Sequence, residues 1–327
     1  MRASKLLPLI AGSAAIALAS LVVASPAVGA TLPTGQQITM IDQFQDPGDG
    51  QGQFYTVNPA DAKAAPYGAV TNQLTNGVDV NDEGQGWAIG QVGDGLVATL
   101  WKANAVTATL TDPKPIAFAS GAPLEKCDGI DLLPDGRLLI SCIEDAGGEV
   151  PLVSHVGFID GTGVFTPVAS WSGQEFQIFF ALALNPVTGV LWGFGPFDGP
   201  YSFTIDLDAG TYERIAPTIW YAYGADFDSS GQLFVTTDVQ VGENFHPALG
   251  VLNPVTGVYV ERQAYVNTVT GNYPIWSNSI TVWGKPALAA TGSTGSELVL
   301  PIGIGSALLL LAGAALIATA RMNRKGA

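Results

Sequence analysis

Three aspartates occupy one position in three copies of a short sequence pattern. Asp79, Asp131 and Asp226 each lie in a mainly apolar run that leads into a turn rich in Gly, Asn and Asp. Carboxylates repeated at one level of a structure could hold Ca²⁺, which takes several oxygen ligands. A carboxylate beside a turn more commonly accepts hydrogen bonds from backbone amides. We favour the second interpretation, because another copy has Ala183 at this position, and we expect no cofactor, with Ca²⁺ as the alternative.

A second set of acids could support hydrolysis. Asp128, Glu144 and Asp145 are candidates for the acid and base that cleave a glycosidic bond. Acids are plentiful in this chain and no glycosidase motif is evident, so these residues define only the alternative function, an extracellular polysaccharide hydrolase or lyase. With His155 and His246 as the only histidines, we expect neither a histidine metal centre nor a Ser-His-Asp triad.

Aromatic residues cluster just before several of the repeats. Ring faces stack on the apolar faces of sugars, and carboxylates in neighbouring loops accept hydrogen bonds from hydroxyl groups, so this mixture favours a glycan. We expect roughly half of the rings to fill the core instead. The candidate ligand-binding residues are Phe179, Phe180, Tyr221, Tyr223, Tyr273 and Trp276, with Trp220 beside them. The loop acids that accompany them are Asp94, Glu144, Asp145, Asp198, Asp238 and Glu243.

The elements that would position these side chains repeat along the chain. Residues 79, 131, 183 and 226 align at spacings of 52, 52 and 43, and each copy reads as a strand, a tight turn with glycine and a second strand. A second hairpin pattern follows three of the copies, at 158–163, 204–210 and 251–257. Two hairpins give the four strands of a propeller blade.

The copies resemble the β-propeller repeats of secreted bacterial proteins. The resemblance implies an all-β domain over residues 31–287, which we predict to have five blades. Residues 279–283 are too few for a blade of their own, so we expect them to complete one with the N-terminal segment around 53–59. Six blades and a pair of β-sandwiches are the alternatives. In a propeller, the loops entering the innermost strands and those joining the second and third strands share one face, where we expect the site.

The net charge of the predicted extracellular part indicates which classes of partner it could bind. Residues 31–291 contain 27 of the 28 acidic residues but only 8 of the 13 basic residues, which gives this part a net charge of −19. A strongly acidic surface repels phosphate backbones, so we expect no nucleic-acid partner. Cations and neutral polymers such as glycans suit this surface better.

The two cysteines bracket one predicted hairpin. Cys127 and Cys142 flank a turn at Pro134-Asp135-Gly136, and we expect them to form a disulfide. Regular pairing across a two-residue turn would put Cys142 opposite Gly129, so a bridge to Cys127 requires a bulge. Two buried thiols are the alternative.

Both ends of the sequence carry targeting signals. Residues 1–30 combine Arg2 and Lys5, an apolar stretch and a small-residue cleavage site, as a signal peptide does. Residues 298–320 form an uncharged apolar segment long enough to span a bilayer as a helix. The basic tail 321–327 favours a cytoplasmic position for the end of the chain.

A short motif precedes this apolar segment, separated from it by a polar spacer at 293–297. The motif consists of Leu288, Ala289, Ala290, Thr291 and Gly292. It resembles the sorting signal of cell-wall proteins of Gram-positive bacteria, and most closely the variant read by class E sortases of actinobacteria, although Ala289 replaces the commoner proline. The resemblance implies that sortase cleaves after Thr291 and links the chain to peptidoglycan, with the membrane as a transient partner. We therefore expect a wall-anchored extracellular module that binds a glycan or a surface protein, with a structural coat protein as a further alternative.

Overall fold

Twenty-two β-strands and no α-helix occur in the described part of the computed structural model. This part comprises residues 32–42, 52–71, 73–92, 97–124, 126–144, 152–173, 177–195, 199–269, 271 and 279–284. No helix within these ranges has the length and hydrophobicity needed to cross a membrane. The predicted signal peptide, sorting motif, spacer, apolar segment and basic tail all lie outside them.

The main strands form five antiparallel blades, and the strands of each blade follow one another from the centre outward. Blade 1 contains β22 (Thr281–Trp283), β1 (Gln37–Ile41), β2 (Phe54–Val57) and β3 (Lys63–Tyr67). Blade 2 contains β4 (Leu74–Val80), β5 (Gln85–Val92), β6 (Val97–Asn104) and β7 (Thr109–Pro115). Blade 3 contains β9 (Lys126–Leu132), β10 (Leu138–Glu144), β11 (Val153–Ile159) and β12 (Val164–Ser172). Blade 4 contains β13 (Ala181–Leu184), β14 (Leu191–Gly195), β15 (Tyr201–Asp206) and β16 (Thr211–Pro217). Blade 5 contains β17 (Gly224–Phe227), β18 (Leu233–Val241), β19 (Asn244–Asn253) and β20 (Val258–Ala264).

The five blades close into a ring. Each innermost strand contacts the next, in the order β22, β4, β9, β13, β17 and back to β22. Two short strands, β8 (Ala117–Phe118) and β21 (Val266–Asn267), pair in parallel with the outer edges of blades 3 and 1. The prediction of a five-bladed propeller is confirmed, and the alternatives of six blades and paired sandwiches are wrong.

The ends of the domain share blade 1, as the repeat count predicts. Strand β22 pairs with β1 in antiparallel register, with Val282 opposite Ile38. The indole Nε1 of Trp283 donates a hydrogen bond to Oγ1 of Thr39 over 2.9 Å, and this contact is buried. The last strand of the domain therefore closes the ring by completing its first blade.

The core lies between blades and is divided into five clusters. Each cluster draws its buried side chains from two neighbouring blades, so that every blade interface has one. Close strand approach inside a blade requires glycine at some positions. A Cβ at Gly90 would lie 1.9 Å from the carbonyl oxygen of Leu74 on the paired strand. Apolar side chains packed between neighbouring blades therefore hold the blades together, and the loops at both ends of the channel do not contribute to this core.

The predicted disulfide is present and lies in blade 3. Cys127 and Cys142 are bonded, both are buried, and they face each other across β9 and β10. The pairing register shifts between Ile140 and Cys142, which is the bulge that the spacing requires. The alternative of two buried thiols is wrong.

Two faces of the ring carry loops. The inner-turn face holds the turns of the inner hairpins, at 81–84, 133–136, 185–189 and 228–231. The lead-in face, at the other end of the channel, holds the segments that enter the innermost strands and the loops between second and third strands. From the sequence, we expect the functional site on the lead-in face.

Candidate functional site

The repeated aspartates form a ring of hydrogen-bond acceptors around the central channel. Oδ2 of Asp79 accepts the backbone N–H of Leu132 in the next blade. Asp131 accepts the N–H of Leu184 in the same way. These carboxylates therefore join neighbouring blades, as the favoured sequence interpretation predicts.

Blades 5 and 1 complete the ring. Oδ2 of Asp226 accepts the N–H of Val282 over 2.6 Å. Thr281, at the equivalent position of β22, accepts the N–H of Val80 over 3.4 Å and donates its hydroxyl to Asp79 over 2.9 Å. Only Ala183, in blade 4, offers no acceptor at this level.

Burial raises the pKa of each of these carboxyl groups. Desolvation raises the pKa of Asp79 to about 6, although hydrogen bonds from its partners oppose this effect. Desolvation and the nearby charge of Asp79 raise the pKa of Asp131 well above its ordinary value, and the same two causes act on Asp226. In the part of the chain that the structure describes, no three His, Cys, Asp or Glu side chains gather as a metal site would require.

A wide depression opens above this ring on the inner-turn face. Its volume is about 980 Å³, and the three ring carboxylates lie in its floor. Trp87, Leu133 and Pro186 contribute to its walls. The predicted site lies on the opposite face. The sequence does not indicate this depression, because its size depends on the distances between the inner turns of the five blades.

The lead-in face carries an aromatic cluster on blades 4 and 5. Phe180 and Tyr223 stack with ring centroids 6.1 Å apart and planes 22° from parallel, and Tyr221 lies 6.1 Å from Tyr223. The Tyr223 hydroxyl donates a hydrogen bond to Oδ2 of Asp238 over 2.9 Å. Burial and the Asp238 charge raise the pKa of Tyr223, so this hydroxyl stays protonated.

A second part of the cluster lies farther out on blade 5. Trp220 and Phe245 meet edge to face at 5.2 Å, and half of the Phe245 side chain is exposed. The Arg262 guanidinium lies 5.2 Å from the Trp220 ring and donates to the carbonyl oxygen of Asp238 over 3.2 Å. Neither Phe245 nor Arg262 is predicted from the sequence, because their place in the cluster depends on the register between the strands of blade 5.

One predicted ligand-binding residue belongs to the core. Phe179 is fully buried and packs edge to face against Trp171, Phe203 and Tyr212 in the wedge between blades 3 and 4. It therefore cannot contact a ligand on the surface. Tyr273 and Trp276 lie outside the described residues.

Asp128 and Glu144, two of the acids proposed for hydrolysis, lie in different environments. Asp128 is buried beside a cavity of about 10 Å³, which is roughly the space of one water, and its Oδ2 lies 3.2 Å from the Lys126 ammonium. Desolvation raises the pKa of Asp128, while Lys126 opposes the rise. Glu144 faces solvent at the end of β10. Asp145 lies outside the described residues, as do Asp94 and Asp198.

Glu144 belongs to a hydrogen-bonded group that the sequence did not predict. Its Oε2 lies 3.2 Å from Nε2 of His155, whose Nδ1 lies 2.7 Å from Oγ of Ser170. The three residues come from neighbouring strands of blade 3. Burial lowers the pKa of His155, with Glu144 opposing, so the ring is neutral at pH 7. Phe118 and Phe165 each contact the His155 ring edge to face, so this histidine is packed within the outer part of blade 3.

Comparisons with known proteins give structural likeness alone. No protein-family model matches the chain, and neither does any curated protein. A crystal structure of a Lactobacillus plantarum protein is 12% identical, covers 76% of this chain and 99% of its own, and has a TM-score of 0.41. A putative 6-phosphogluconolactonase from Bacteroides fragilis is 9% identical, with coverages of 76% and 98% and a TM-score of 0.39. Regucalcin from Agrobacterium tumefaciens, a calcium-binding protein, is 12% identical, with coverages of 71% and 78% and a TM-score of 0.37. The fold assignment therefore rests on the strand pairing of this chain.

Proposed function

We propose that residues 31–287 act as an extracellular binding module that holds a glycan on the lead-in face. The observation that carries the proposal is the aromatic cluster on blades 4 and 5, in which Phe180, Tyr221, Tyr223, Trp220 and Phe245 lie in one surface region. Aromatic faces at a partly exposed site gain free energy by covering the C–H faces of sugar rings.

Polar groups beside these rings supply the directional contacts that a sugar needs. Asp238 fixes the Tyr223 hydroxyl, and its other carboxylate oxygen is buried without a hydrogen-bond partner among the described residues. Lys126 lies 5.4 Å from the Phe180 ring on the blade 3 side of the cluster. A ligand that stacks on the rings can therefore donate hydrogen bonds to the Asp238 carboxylate and accept them from the Lys126 ammonium at the edge of the cluster.

Attachment to the cell wall is the second part of the proposal. The motif at 288–292, the spacer and the apolar segment support sortase processing and peptidoglycan linkage, and the disulfide suits an oxidising compartment. Thr291→Ala should leave the chain unlinked to purified wall material. Mass spectrometry of wall fractions that still contain this variant, joined covalently to peptidoglycan, would refute the assignment.

The binding test uses the full chain, purified in detergent, on a glycan array, with a turnover assay on every glycan that binds. Phe245→Ala and Tyr221→Ala should each weaken binding by about tenfold or more, as expected for central aromatic contacts. Val260→Ala is the matched control, because Val260 is 73% exposed on the outer strand of the same blade. Binding that survives both aromatic substitutions, or no glycan binding at all, would refute the proposal. Cleavage of bound glycans would favour the hydrolase alternative instead.

A further inference from the structure

We propose that Arg262 makes the aromatic cluster selective for acidic glycans, in which a sugar ring carries a carboxylate group. This inference rests on the proposed glycan binding and adds the class of sugar and the residue that recognises it. The carboxylate would lie on the guanidinium group of Arg262 while the rest of the glycan covers the exposed aromatic side chains beside it. Uronic acids and sialic acids are the sugars that carry such a group.

Three contacts fix the position of the Arg262 guanidinium group. It lies 5.2 Å from the Trp220 ring and 5.5 Å from the Tyr259 ring. Its Nη1 donates a hydrogen bond to the carbonyl oxygen of Asp238 over 3.2 Å. The Tyr259 hydroxyl donates in turn to Oγ1 of Thr237 over 3.1 Å, which holds this ring in place. An arginine positioned in this way loses little conformational freedom when a ligand binds, so more of the contact energy appears as affinity.

A glycine on the neighbouring strand makes room for this arrangement. Gly250 on β19 pairs with Arg262 on β20. A Cβ at Gly250 would lie 2.7 Å from the Tyr259 ring, so only glycine lets the ring cover the backbone there without displacement. The support beneath the guanidinium group is therefore part of how blade 5 is built.

The positive charge of Arg262 has no ion-pair partner in the part of the chain that the structure describes. This distinguishes it from several other basic residues, each of which has a carboxylate oxygen within 3.2 Å: Lys63, Lys102, Lys114, Lys126 and Arg137. Desolvation lowers the pKa of Arg262, and the charge of Asp238 opposes this effect without forming an ion pair. An arginine stays protonated at pH 7 in such an environment, so the site presents an unpaired cation.

The guanidinium group also has N–H donors available for a ligand. The fold uses one of them, for the Asp238 carbonyl, among the described residues. None of the Arg262 nitrogen atoms is among the buried polar atoms that lack a partner, so the unused donors can be reached from solvent. The planar fork of a guanidinium group matches the two oxygens of a carboxylate, and such a pair is stronger than a hydrogen bond to a neutral hydroxyl.

Exposed apolar surface for the rest of the glycan lies next to this cation. Phe245 and Arg262 each lie 5.2 Å from the Trp220 ring, so a short oligosaccharide can contact both. Half of the Phe245 side chain is exposed, and Ile219 beside Trp220 is 73% exposed. A sugar that stacks on Phe245 can therefore direct its carboxylate to Arg262.

The acidic character of the domain limits which anions can bind. Its net charge of −19 repels anions at long range, but salt at about 0.1 M screens this effect beyond about 10 Å. Contact with the guanidinium group is screened much less. Asp238 lies close enough to repel a bound anion as well, and this repulsion grows with the charge of the ligand group. We therefore expect a singly charged carboxylate rather than a phosphate group.

The test compares acidic glycans with their own neutral derivatives. The probes are oligosaccharides of galacturonic acid, of glucuronic acid and of N-acetylneuraminic acid, each paired with its carboxyl methyl ester. Binding is measured by calorimetry with the full chain in detergent at about 0.1 M salt. We expect at least one acid to bind at least about tenfold more tightly than its ester, because esterification removes the charge that pairs with Arg262. The acid that binds most tightly identifies the source of the carboxylate as a uronic or a sialic acid.

The deciding variant is Arg262→Gln, which removes the charge but keeps a donor for the Asp238 carbonyl. It should weaken binding of the acid by about tenfold or more and change binding of the ester by less than about threefold, so that the selectivity is lost. A residue that only supported the fold would affect both ligands alike. Arg214→Gln is the matched control, because Arg214 packs over the Tyr201 ring at 4.3 Å on the neighbouring blade. If Arg262→Gln fails to fold, Arg262→Lys keeps the charge, loses the planar fork and should still reduce the selectivity.

Equal binding of acids and esters to the wild type would overturn the inference. An unchanged ratio of the two affinities in a folded Arg262→Gln or Arg262→Lys chain would overturn it too, as would binding of neutral glycans without any of the acidic probes. If Phe245→Ala still weakens binding in these cases, glycan binding stands and only the selectivity is wrong. Absence of binding by every glycan, acidic or neutral, would refute the proposed function and this inference together.

Discussion

The stability of the propeller should fall as its ring carboxyl groups lose their protons, and Asp131→Asn isolates this effect. An aspartate whose pKa is raised on folding binds its proton more tightly in the folded chain than in the unfolded one. The free energy of unfolding therefore falls as the pH rises from the unfolded pKa to the folded pKa. For the ring carboxyls this decline begins near pH 4 and runs upward, opposite to the effect of a carboxylate held by a salt bridge.

The size of the effect follows from the pKa values. The pKa of Asp79 is about 6 in the folded chain and ordinarily 3.8. Ionisation of Asp79 should therefore lower the free energy of unfolding by about 3 kcal/mol between pH 4 and pH 6. The pKa of Asp131 is raised for the same reasons, with Asp79 as a further cause. Asparagine at 131 resembles the protonated acid, because it is neutral and offers both an acceptor and a donor. The free energy of unfolding of the variant should therefore fall less than that of the wild type as the pH rises.

Urea unfolding followed by tryptophan fluorescence at pH 4, 5, 6 and 7 measures this share. The difference in unfolding free energy between Asp131→Asn and the wild type should move in favour of the variant as the pH rises from 4 to 7, because the pKa of Asp131 is raised on folding. Taking the difference cancels the titrating groups that do not interact with Asp131, whereas Asp79 and Asp226 contribute to it. Asp135→Asn should show no such trend, because Asp135 is fully exposed and Arg137 lowers its pKa. Parallel curves for wild type and Asp131→Asn would refute the reasoning.

Two further tests concern the disulfide of blade 3 and the closure of the ring at Thr281. Replacing both Cys127 and Cys142 with alanine should lower the unfolding free energy by about 3 kcal/mol, because the bridge closes a loop of 15 residues; a loss below about 1 kcal/mol in urea titration would contradict this. Thr281→Val keeps the shape of the side chain but removes its hydrogen bond to Asp79, so it should cost about 1–3 kcal/mol in thermal or urea unfolding. The exposed Thr211→Val serves as its control, and equal effects of the two would show that ring closure does not depend on this contact.

The sequence predicted the blades because each inner hairpin is a local signal. Two strands joined by a glycine-containing turn are specified within about ten residues, and the spacing of the copies counts the blades. Gly136, for example, has φ of +84°, as the predicted turn after Pro134 requires. Even the bulge beside the disulfide followed from counting residues between Cys127 and Cys142. Blade closure by β22 was predictable because the last segment was too short to fold alone.

The site residues were harder to predict because one of two adjacent residues can be buried while the other is exposed. Phe179 and Phe180 are adjacent in the segment that leads into β13, yet Phe179 is buried and Phe180 is partly exposed. The first fills the wedge between blades and the second stacks on Tyr223 at the surface. Nothing in the local sequence fixes which of the two faces the neighbouring blade. The group of Glu144, His155 and Ser170 depends in the same way on the register between strands that only the folded blade defines.

The ring of acceptors shows how one repeated residue can join every pair of blades that it meets. The carboxylates of Asp79 and Asp226 each accept hydrogen bonds from two blades, so their position is explained by structure alone. Asp131 accepts the N–H of Leu184 in blade 4, and its side chain hydrogen-bonds to that of Asp79 in blade 2. Two carboxyl groups can share such a bond only through a proton, which agrees with the raised pKa of Asp131. The repeated aspartate is therefore explained by its contacts within the fold.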